Sequence, residues 1–380
     1  MLEKVRPVNE KQKMLLAALK SKDIDLVGAF GPSGTGKSLL TIAYGIDAVE
    51  RGEYARFILA RPIVDVKGER EFTAAELGDT YYDLASAYLY DLLADYVDKK
   101  EIEGMINEGK LVLADPNLLR GRTFDRCLVF LDDAQLMSPV TLTEALVRVG
   151  SESKLVIAGD PLFQTRDATY NGAALAREVL LNEEDAVVVD FGVKDIVRPG
   201  AKRGFKLVME MRLRRRKLSD EERKVIDTAY IYAPDADIIT AVMLKDLKEK
   251  CFEGKPPSVP DALIVSKEGR LGRLIGKNGE RITKMEKDLG LALRGVELTT
   301  DFKPFVVALH PLPWLRKYIL DTDIVGANLE VVVDSSEYPS FVGRGGSHIR
   351  FIDGAFRRMM RMGVKAISRK VEKPKGRKKK

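Results

Sequence analysis

Cysteine is nearly absent from this chain: Cys127 and Cys251 stand far apart in 380 residues. So low a count excludes a disulfide framework and points to a reducing compartment, with a cytoplasmic location as the expectation. Histidine is equally scarce. His310 and His348 stand alone in the sequence, and no zinc-ligand spacing occurs. No hydrophobic run approaches the ~20 residues of a membrane span, and the first residues lack a signal-peptide pattern. No nuclease constellation is recognisable. The hydrophobic fraction, 45%, is ordinary for a globular protein, and the length suffices for two to four domains. A net charge of +6 permits a nucleic-acid partner.

One stretch organises the rest. Gly31-Pro32-Ser33-Gly34-Thr35-Gly36-Lys37-Ser38 fits the phosphate-loop pattern G-x-x-x-x-G-K-[ST] at every fixed position. Before it, residues 24–30 (IDLVGAF) read as a buried strand. After it, residues 39–49 (LLTIAYGIDAV) read as an apolar helix. A strand, a glycine turn and a helix N-terminus make an anion site, because free backbone N–H groups and the positive helix end face one point. Lys37 is then expected to reach the β- and γ-phosphates of ATP, and Ser38 to hold Mg²⁺.

The flanking segments supply partners. Asn9 caps a helix carrying Met14, Leu15, Ala18 and Leu19. Gln12, near its start, either reads adenine or is a solvated helix-face glutamine. Residues 56–64 form a strand ending at Arg61-Pro62, at the edge where α/β ligands bind. Arg61 there contacts phosphate or nucleic acid, or makes a structural ion pair. Residues 65–83 are charged and aperiodic, as in a mobile surface loop, and 84–97 return to helix. A short strand is expected at 111–114. The run 127–131 (CLVFL) is a stronger strand that delivers Asp132-Asp133, the Walker B arrangement. Asp132 would bind Mg²⁺ through water, and Asp133 is the candidate base. A helix at 139–149 follows Ser138. The strand at 154–158 then brings Asp160 and Gln164 toward the γ-phosphate. Four or five strands alternating with helices predict an α/β fold with a mostly parallel sheet.

Taken together, Gln12, GPSGTGKS at 31–38, ARPIV at 60–64, LVFLDDAQ at 128–135, LVRVGSESKLVIAGD at 146–160 and KDIVR at 194–198 make residues 1–200 resemble the PhoH-like ATPases, relatives of superfamily-one helicases. The resemblance implies a RecA-like P-loop core, ATP hydrolysis, ring-shaped hexamers and a role with RNA. The family usually has Asp-Glu where this chain has Asp132-Asp133, and its glycine-proline pattern after Arg61 is not kept here. Arg148 and Arg198 are rival candidates for stabilising transition-state charge, Arg148 by reaching a neighbouring subunit's nucleotide. A helix-end arginine also complements the dipole.

Residues 201–258 read as a basic extension and linker, with a cluster at 212–217 and helices near 219–232 and 238–252. Such clusters are solvated faces or phosphate-backbone sites. The run 255–260 (KPPSVP) is the expected domain boundary.

The remainder holds an internal repeat. LIGKNGERI at 274–282 aligns with FVGRGGSHI at 341–349, offset by 67 residues without a gap. Each copy follows a strand and precedes an amphipathic helix. The loops Gly276-Lys277-Asn278-Gly279 and Gly343-Arg344-Gly345-Gly346 carry the G-x-x-G of KH modules, whose glycines let the backbone approach phosphates. Ile275, Ile282, Val342 and Ile349 would wall a groove for unstacked bases. The other reading is a degenerate module kept as scaffold. Residues 260–370 resemble tandem KH modules of the transcription-factor NusA type. The expected α+β modules span 259–310 and 311–370, followed by a basic tail at 371–380 suited to non-specific RNA contact.

The preferred reading is an RNA-dependent ATPase or helicase-like RNA remodeller with ATP, Mg²⁺ and single-stranded RNA as ligands, acting as a homo-oligomer. The shorter Asp133 favours a second reading, an RNA-binding adaptor switched by ATP with little turnover. A small-molecule kinase is a third, against which the paired G-x-x-G loops argue.

Overall fold

The computed structural model describes residues 1–65, 70–121, 123–164, 170–252 and 258–370. It divides into two units, 1–202 and 203–380.

The first unit alternates strands and helices. Helix α1 (Glu10–Lys20) is capped by Asn9 and precedes β1 (Leu26–Phe30). Then come α2 (Lys37–Glu50), β2 (Arg56–Ala60), and an antiparallel hairpin of β3 (Ile63–Asp65) with β4 (Arg70–Phe72). Helices α3 (Ala74–Leu77), α4 (Asp79–Leu93) and α5 (Lys99–Asn107) follow. The unit continues with β5 (Leu111–Ala114), β6 (Cys127–Leu131), α6 (Pro139–Leu146), β7 (Lys154–Gly159), α7 (Gly172–Leu180) and β8 (Ala186–Asp190). Six of these strands form one parallel sheet in the order β5-β2-β6-β7-β1-β8.

Alternation along the strands sorts the core. Val27, Ala29, Phe57, Leu59, Val156 and Ala158 face α1, α2 and α4. Ile58, Ala60, Val129, Leu131, Leu155 and Ile157 face α6 and α7. Burial on both faces is what continuous apolar strands require of a parallel sheet. Because the strands are all parallel, the loops after β1, β2, β6 and β7 leave one edge, and the order brings β1, β7 and β6 side by side there. That edge carries the candidate site.

Two expectations for this unit are corrected. The sheet has six strands, since β8 joins beside β1. The segment 65–83 is not a structureless loop. Residues 66–69 lie outside the described residues, but β4, α3 and the start of α4 occupy most of the rest. Thr73 and Glu76 close a capping box around α3, and Tyr81 is buried with its hydroxyl donating to the Arg61 carbonyl at 2.9 Å.

The division between units falls inside α8 (Pro199–Arg214). The second unit continues with α9 (Asp220–Tyr232), β9 (Ile238–Met243), α10 (Lys245–Cys251), β10 (Ala262–Ser266), α11 (Leu271–Ile275), α12 (Glu280–Leu289) and β11 (Leu293–Glu297). Then come α13 (Lys303–Leu309), β12 (Ile319–Val325), β13 (Asn328–Asp334), α14 (Tyr338–Val342), α15 (Ser347–Met360) and β14 (Gly363–Arg369). Two three-stranded sheets result, β11-β10-β9 and β12-β13-β14. In both, the middle strand runs antiparallel to the earlier strand and parallel to the later one. The 67-residue repeat is therefore a repeat of topology.

The helix expected at 238–252 is instead β9 followed by the short α10. Ile238–Met243 is apolar and rich in β-branched residues, and it fills the edge of the first small sheet against β10. That sheet thus draws a strand from ahead of the prolines at 256, 257 and 260, inside the stretch read as extension and linker. Residues 253–257 of the expected linker, and the tail 371–380, lie outside the described residues. Within the basic cluster, Arg214 pairs with Glu210 and Asp237, and Arg216 pairs with Glu222 at 2.9 Å, so these two are structural cations.

Candidate nucleotide site

The loop after β1 needs its glycines. Gly31 has φ 144°, and a Cβ there would sit 2.2 Å from the Phe191 carbonyl oxygen. Gly36 has φ 88° and starts α2; a Cβ there would meet the Gln12 amide at 2.8 Å. Backbone this crowded and left-handed admits only glycine cheaply. Inside the curve, the Lys37 ammonium donates to the Gly31 and Pro32 carbonyls, both at 2.8 Å, and to Thr35 Oγ1 at 3.1 Å. Burial pushes Lys37 below the ordinary lysine value, while Asp160, Asp132 and Asp133 push the other way. Ser33 and Gly34 complete the turn, and the Gly34 carbonyl accepts the Val197 N–H at 3.0 Å.

Gln12 is neither solvated nor at the helix surface. It is 3% exposed. Its Oε1 accepts the Val8 N–H at 2.7 Å, and its Nε2 donates to the Thr35 carbonyl at 2.8 Å. Both ends of the amide are spent bracing the phosphate loop.

The acids after β6 stand opposite. Ser38 Oγ donates to Asp132 Oδ1 at 2.9 Å, and the Tyr88 hydroxyl donates to Asp132 Oδ2 at 2.8 Å. Burial pushes the Asp132 carboxyl up to about 6, and the Asp133 charge adds to it; Arg61 and the hydrogen bonds from Tyr88 and Ser38 pull it back. Asp133 sits at φ 55°, a left-handed conformation that aspartate tolerates better than most residues. Its Oδ2 pairs with Arg61, Nη2 at 2.6 Å and Nε at 2.7 Å. Its Oδ1 accepts the Gln135 amide at 3.0 Å. The Arg61 guanidinium lies 3.8 Å from the Tyr88 ring centroid, so serine, both acids, tyrosine and arginine close a ring of contacts. Of the two readings of Arg61, the ion pair is the one seen.

Other predicted residues separate. Gln164 is exposed and accepts from Gln135 Nε2 at 3.3 Å. Asp160 uses Oδ1 to hold the Leu162 and Phe163 N–H groups, at 2.9 and 2.8 Å. Arg198 is exposed beside the phosphate loop, where a Cβ on Gly34 would lie 3.8 Å from its own Cβ. Arg148 is half-buried, pairs with Glu144 at 2.5 Å, and leaves its buried Nε without a partner among the described residues. Tyr88 and Gln135 escaped the sequence reading. Tyr88 shares an i, i+4 spacing with Leu84 and Leu92 and reads as core. Gln135 follows the acids as an apparent loop residue, yet it bonds to Asp133, Gln164 and the Asp160 N–H.

In the second unit the two G-x-x-G loops share a backbone. Gly276 and Gly343 lie at φ 76° and 77°, Asn278 and Gly345 at 52° and 57°, and Gly279 and Gly346 at 80° and 78°. Lys277, Asn278, Arg344 and Gly345 are at the surface, while Ile275, Ile282, Val342 and Ile349 are half-buried. The second residue after each loop packs on its first glycine: Arg281 donates to the Arg273 carbonyl, and His348 to the Ser340 carbonyl, the equivalent position. His348 and His310 do not stand apart. Their rings meet edge to face at 5.1 Å.

The first unit therefore presents a glycine cradle, a buried ammonium, and a hydroxyl beside a carboxylate, a donor set that fits a nucleotide's phosphates with a divalent cation. Among the described residues, no helix is long and apolar enough to cross a membrane. Comparison with known proteins agrees with the site. The PhoH-like protein of Bacillus subtilis (strain 168) is 31% identical over 188 residues, 49% of this chain and 58% of that one. The PhoH-like protein of Synechocystis sp. (strain ATCC 27184 / PCC 6803 / Kazusa) is 30% identical over 198 residues, 52% and 59% of the two chains. The chain thus spans less than two thirds of the curated relatives it matches. Among solved structures, the large terminase of a thermophilic bacteriophage gives a TM-score of 0.36 at 17% identity, covering 53% of this chain and 50% of that one. The PhoH-like protein family matches residues 4–210, more than half of the chain and every residue of the nucleotide site described above, and the chain belongs to that family.

Proposed function

We propose that this protein is an RNA-binding ATPase whose hydrolysis is stimulated by single-stranded RNA. The observation that carries the ATPase reading is the 2.9 Å hydrogen bond from Ser38 Oγ to Asp132 Oδ1, beside the buried Lys37. It joins the two side chains that would hold Mg²⁺, at the mouth of a cradle that would hold the phosphates. Bound there, the cation would neutralise charge on the phosphates. Lys37 would exchange its carbonyl partners for phosphate oxygens, Asp133 would take the water's proton, and Gln135 would keep Asp133 and Gln164 in register. Arg198, next to Gly34, would supply positive charge in the same chain. Arg148 would do so across a ring of subunits, as a homohexamer would allow, once released from Glu144.

The RNA half rests on the paired loops. We read them as KH modules, with phosphates approaching Gly276–Gly279 and Gly343–Gly346 and bases in the grooves beside them. Single-turnover ATP hydrolysis with and without single-stranded RNA tests the whole. Faster turnover with RNA is expected. Turnover that RNA leaves unchanged removes the coupling, and unchanged Mg-ATP affinity in Lys37→Ala by calorimetry removes the nucleotide site.

One observation favours the adaptor reading. The Asp133 carboxylate is already paired with Arg61. A protein that binds ATP and keeps it intact with RNA present would be that switch.

A further inference from the structure

The chain has one tryptophan. Trp314 lies on a 3₁₀ turn, Pro313–Tyr318, and is 48% exposed. A half-exposed indole offers a partner a flat apolar face together with a polar N–H, the combination that enriches tryptophan at interfaces. The turn is anchored on either side of it. Leu315 is buried as the anchor, and the Leu315 N–H donates to the Leu312 carbonyl at 3.1 Å. The Lys303 ammonium fixes the far end by donating to the Ile319 carbonyl at 2.6 Å. Tyr318 packs edge-on to the indole, ring centroids 5.9 Å apart and planes at 89°. Arg316 and Lys317 flank the rings, both exposed, and Lys317 Nζ is 4.9 Å from the Tyr318 centroid. Among the described residues, neither cation has a carboxylate partner.

The turn is also tied to the second G-x-x-G loop. His310 is buried, and its Nδ1 accepts the Leu312 N–H at 3.0 Å. Its Nε2 then donates to the Phe341 carbonyl at 3.0 Å. One imidazole thus joins the backbone two residues before Trp314 to the backbone two residues before Gly343.

We infer that Trp314 is a stacking platform for an unpaired base of single-stranded RNA, with Arg316 and Lys317 neutralising the adjoining phosphates. The chemistry matches: a flat π-face takes any base, cations without carboxylate partners take the backbone, and the fixed turn loses little entropy on binding. The inference rests on the RNA reading above and adds a contact outside both loops.

The lone tryptophan makes the test direct. Full-length protein is titrated with a short labelled single-stranded RNA of mixed sequence, and both RNA anisotropy and tryptophan emission are followed. Quenching that saturates with the anisotropy signal is expected. Trp314→Ala should weaken binding roughly 5- to 100-fold, and Trp314→Phe should restore most of it. Arg316→Ala with Lys317→Ala should flatten the salt slope by about one to two, in line with the charges removed. RNA binding with unchanged emission and parent affinity in Trp314→Ala overturns the platform and leaves the RNA reading standing. No RNA binding by the parent overturns both.

Discussion

Arg61 Nη2 lies 2.6 Å from Asp133 Oδ2, and the same guanidinium rests 3.8 Å above the Tyr88 ring, whose hydroxyl holds Asp132. The candidate base and the candidate metal ligand are therefore oriented by one arginine–tyrosine stack. If that stack positions Asp133 for turnover, Arg61→Ala should slow single-turnover hydrolysis about 10- to 100-fold with little change in nucleotide affinity, the usual scale for a misplaced group. Arg61→Lys should recover only part, because an ammonium cannot reproduce the fork. A faster Arg61→Ala enzyme would instead mark the pair as a lock and favour the switch.

Asp133→Asn separates binding from chemistry at the same position. The amide keeps the shape and the Gln135 contact region but cannot take a proton. Mg-ATP should bind as in the parent while hydrolysis falls about 10²–10⁴-fold, the usual loss for a general base. Parent-rate hydrolysis in this variant would assign the water to another residue.

Gln12 distinguishes bracing from base reading. Its amide oxygen is held by Val8 and its amide nitrogen by Thr35. Gln12→Ala leaves the buried Thr35 carbonyl unmet, which costs about 1–3 kcal/mol, while the Val8 N–H, on an exposed residue, loses only its brace. The melting temperature should drop, and ATP and GTP affinities should fall together, because what is lost is loop geometry. A variant that loses ATP but keeps GTP would mean that Gln12 reads adenine.

Much of this was legible in the sequence because the signals were local. The phosphate loop fixes its own strand and helix, and CLVFL at 127–131 delivers its acids where a parallel strand ends. What was missed depended on distant partners. Gln12 shares the spacing of Leu15 and Leu19, so its burial was readable from the helix face, but its partner Thr35 was not. Tyr88 looks like core until Asp132 is brought to its hydroxyl. Ile238–Met243 precedes a lysine-rich helix and blended into it, since only pairing with β10 reveals a strand. Charge in 65–83 suggested a loop because the anchors, Tyr81 against the Arg61 carbonyl and Ala74 N–H on Asp115, are tertiary.

His310 predicts a pH dependence. Burial pushes its imidazole down to about 4, the neighbouring His348 and Arg294 adding to the effect against the two hydrogen bonds. The native state therefore binds fewer protons than the unfolded chain between about pH 4 and 6.5. This contribution to stability is complete above about pH 6.5 and is lost as the pH falls through about 4, roughly 3 kcal/mol in all. Urea unfolding followed by Trp314 emission should show it. His310→Gln, which keeps a donor and an acceptor without a titrating ring, should lower stability at neutral pH but flatten the acid slope. Equal slopes in parent and variant would place the titration elsewhere.

The loops decide whether RNA is the ligand at all. Lys277→Asp with Asn278→Asp, and Arg344→Asp with Gly345→Asp, put acids where phosphates are expected. The substitutions suit the fold. Asn278 and Gly345 occupy left-handed backbone that aspartate tolerates, all four positions lie at the surface, and a Cβ on Gly345 meets nothing within 4 Å. Melting temperatures should therefore stay close to the parent's while single-stranded RNA binding weakens. Base preference should be lost at every salt concentration, because the half-buried isoleucine and valine walls no longer meet a held strand. Deleting 371–380 should act differently. A basic segment neutralises phosphates without reading bases, so its loss should flatten the salt slope and leave base preference intact. Filter binding or anisotropy across salt separates the two effects. If both loop pairs can be changed without loss of RNA affinity, the loops are scaffold, and any RNA contact must come from elsewhere: the Trp314 turn, the basic tail, the first unit's edge or the 212–217 cluster.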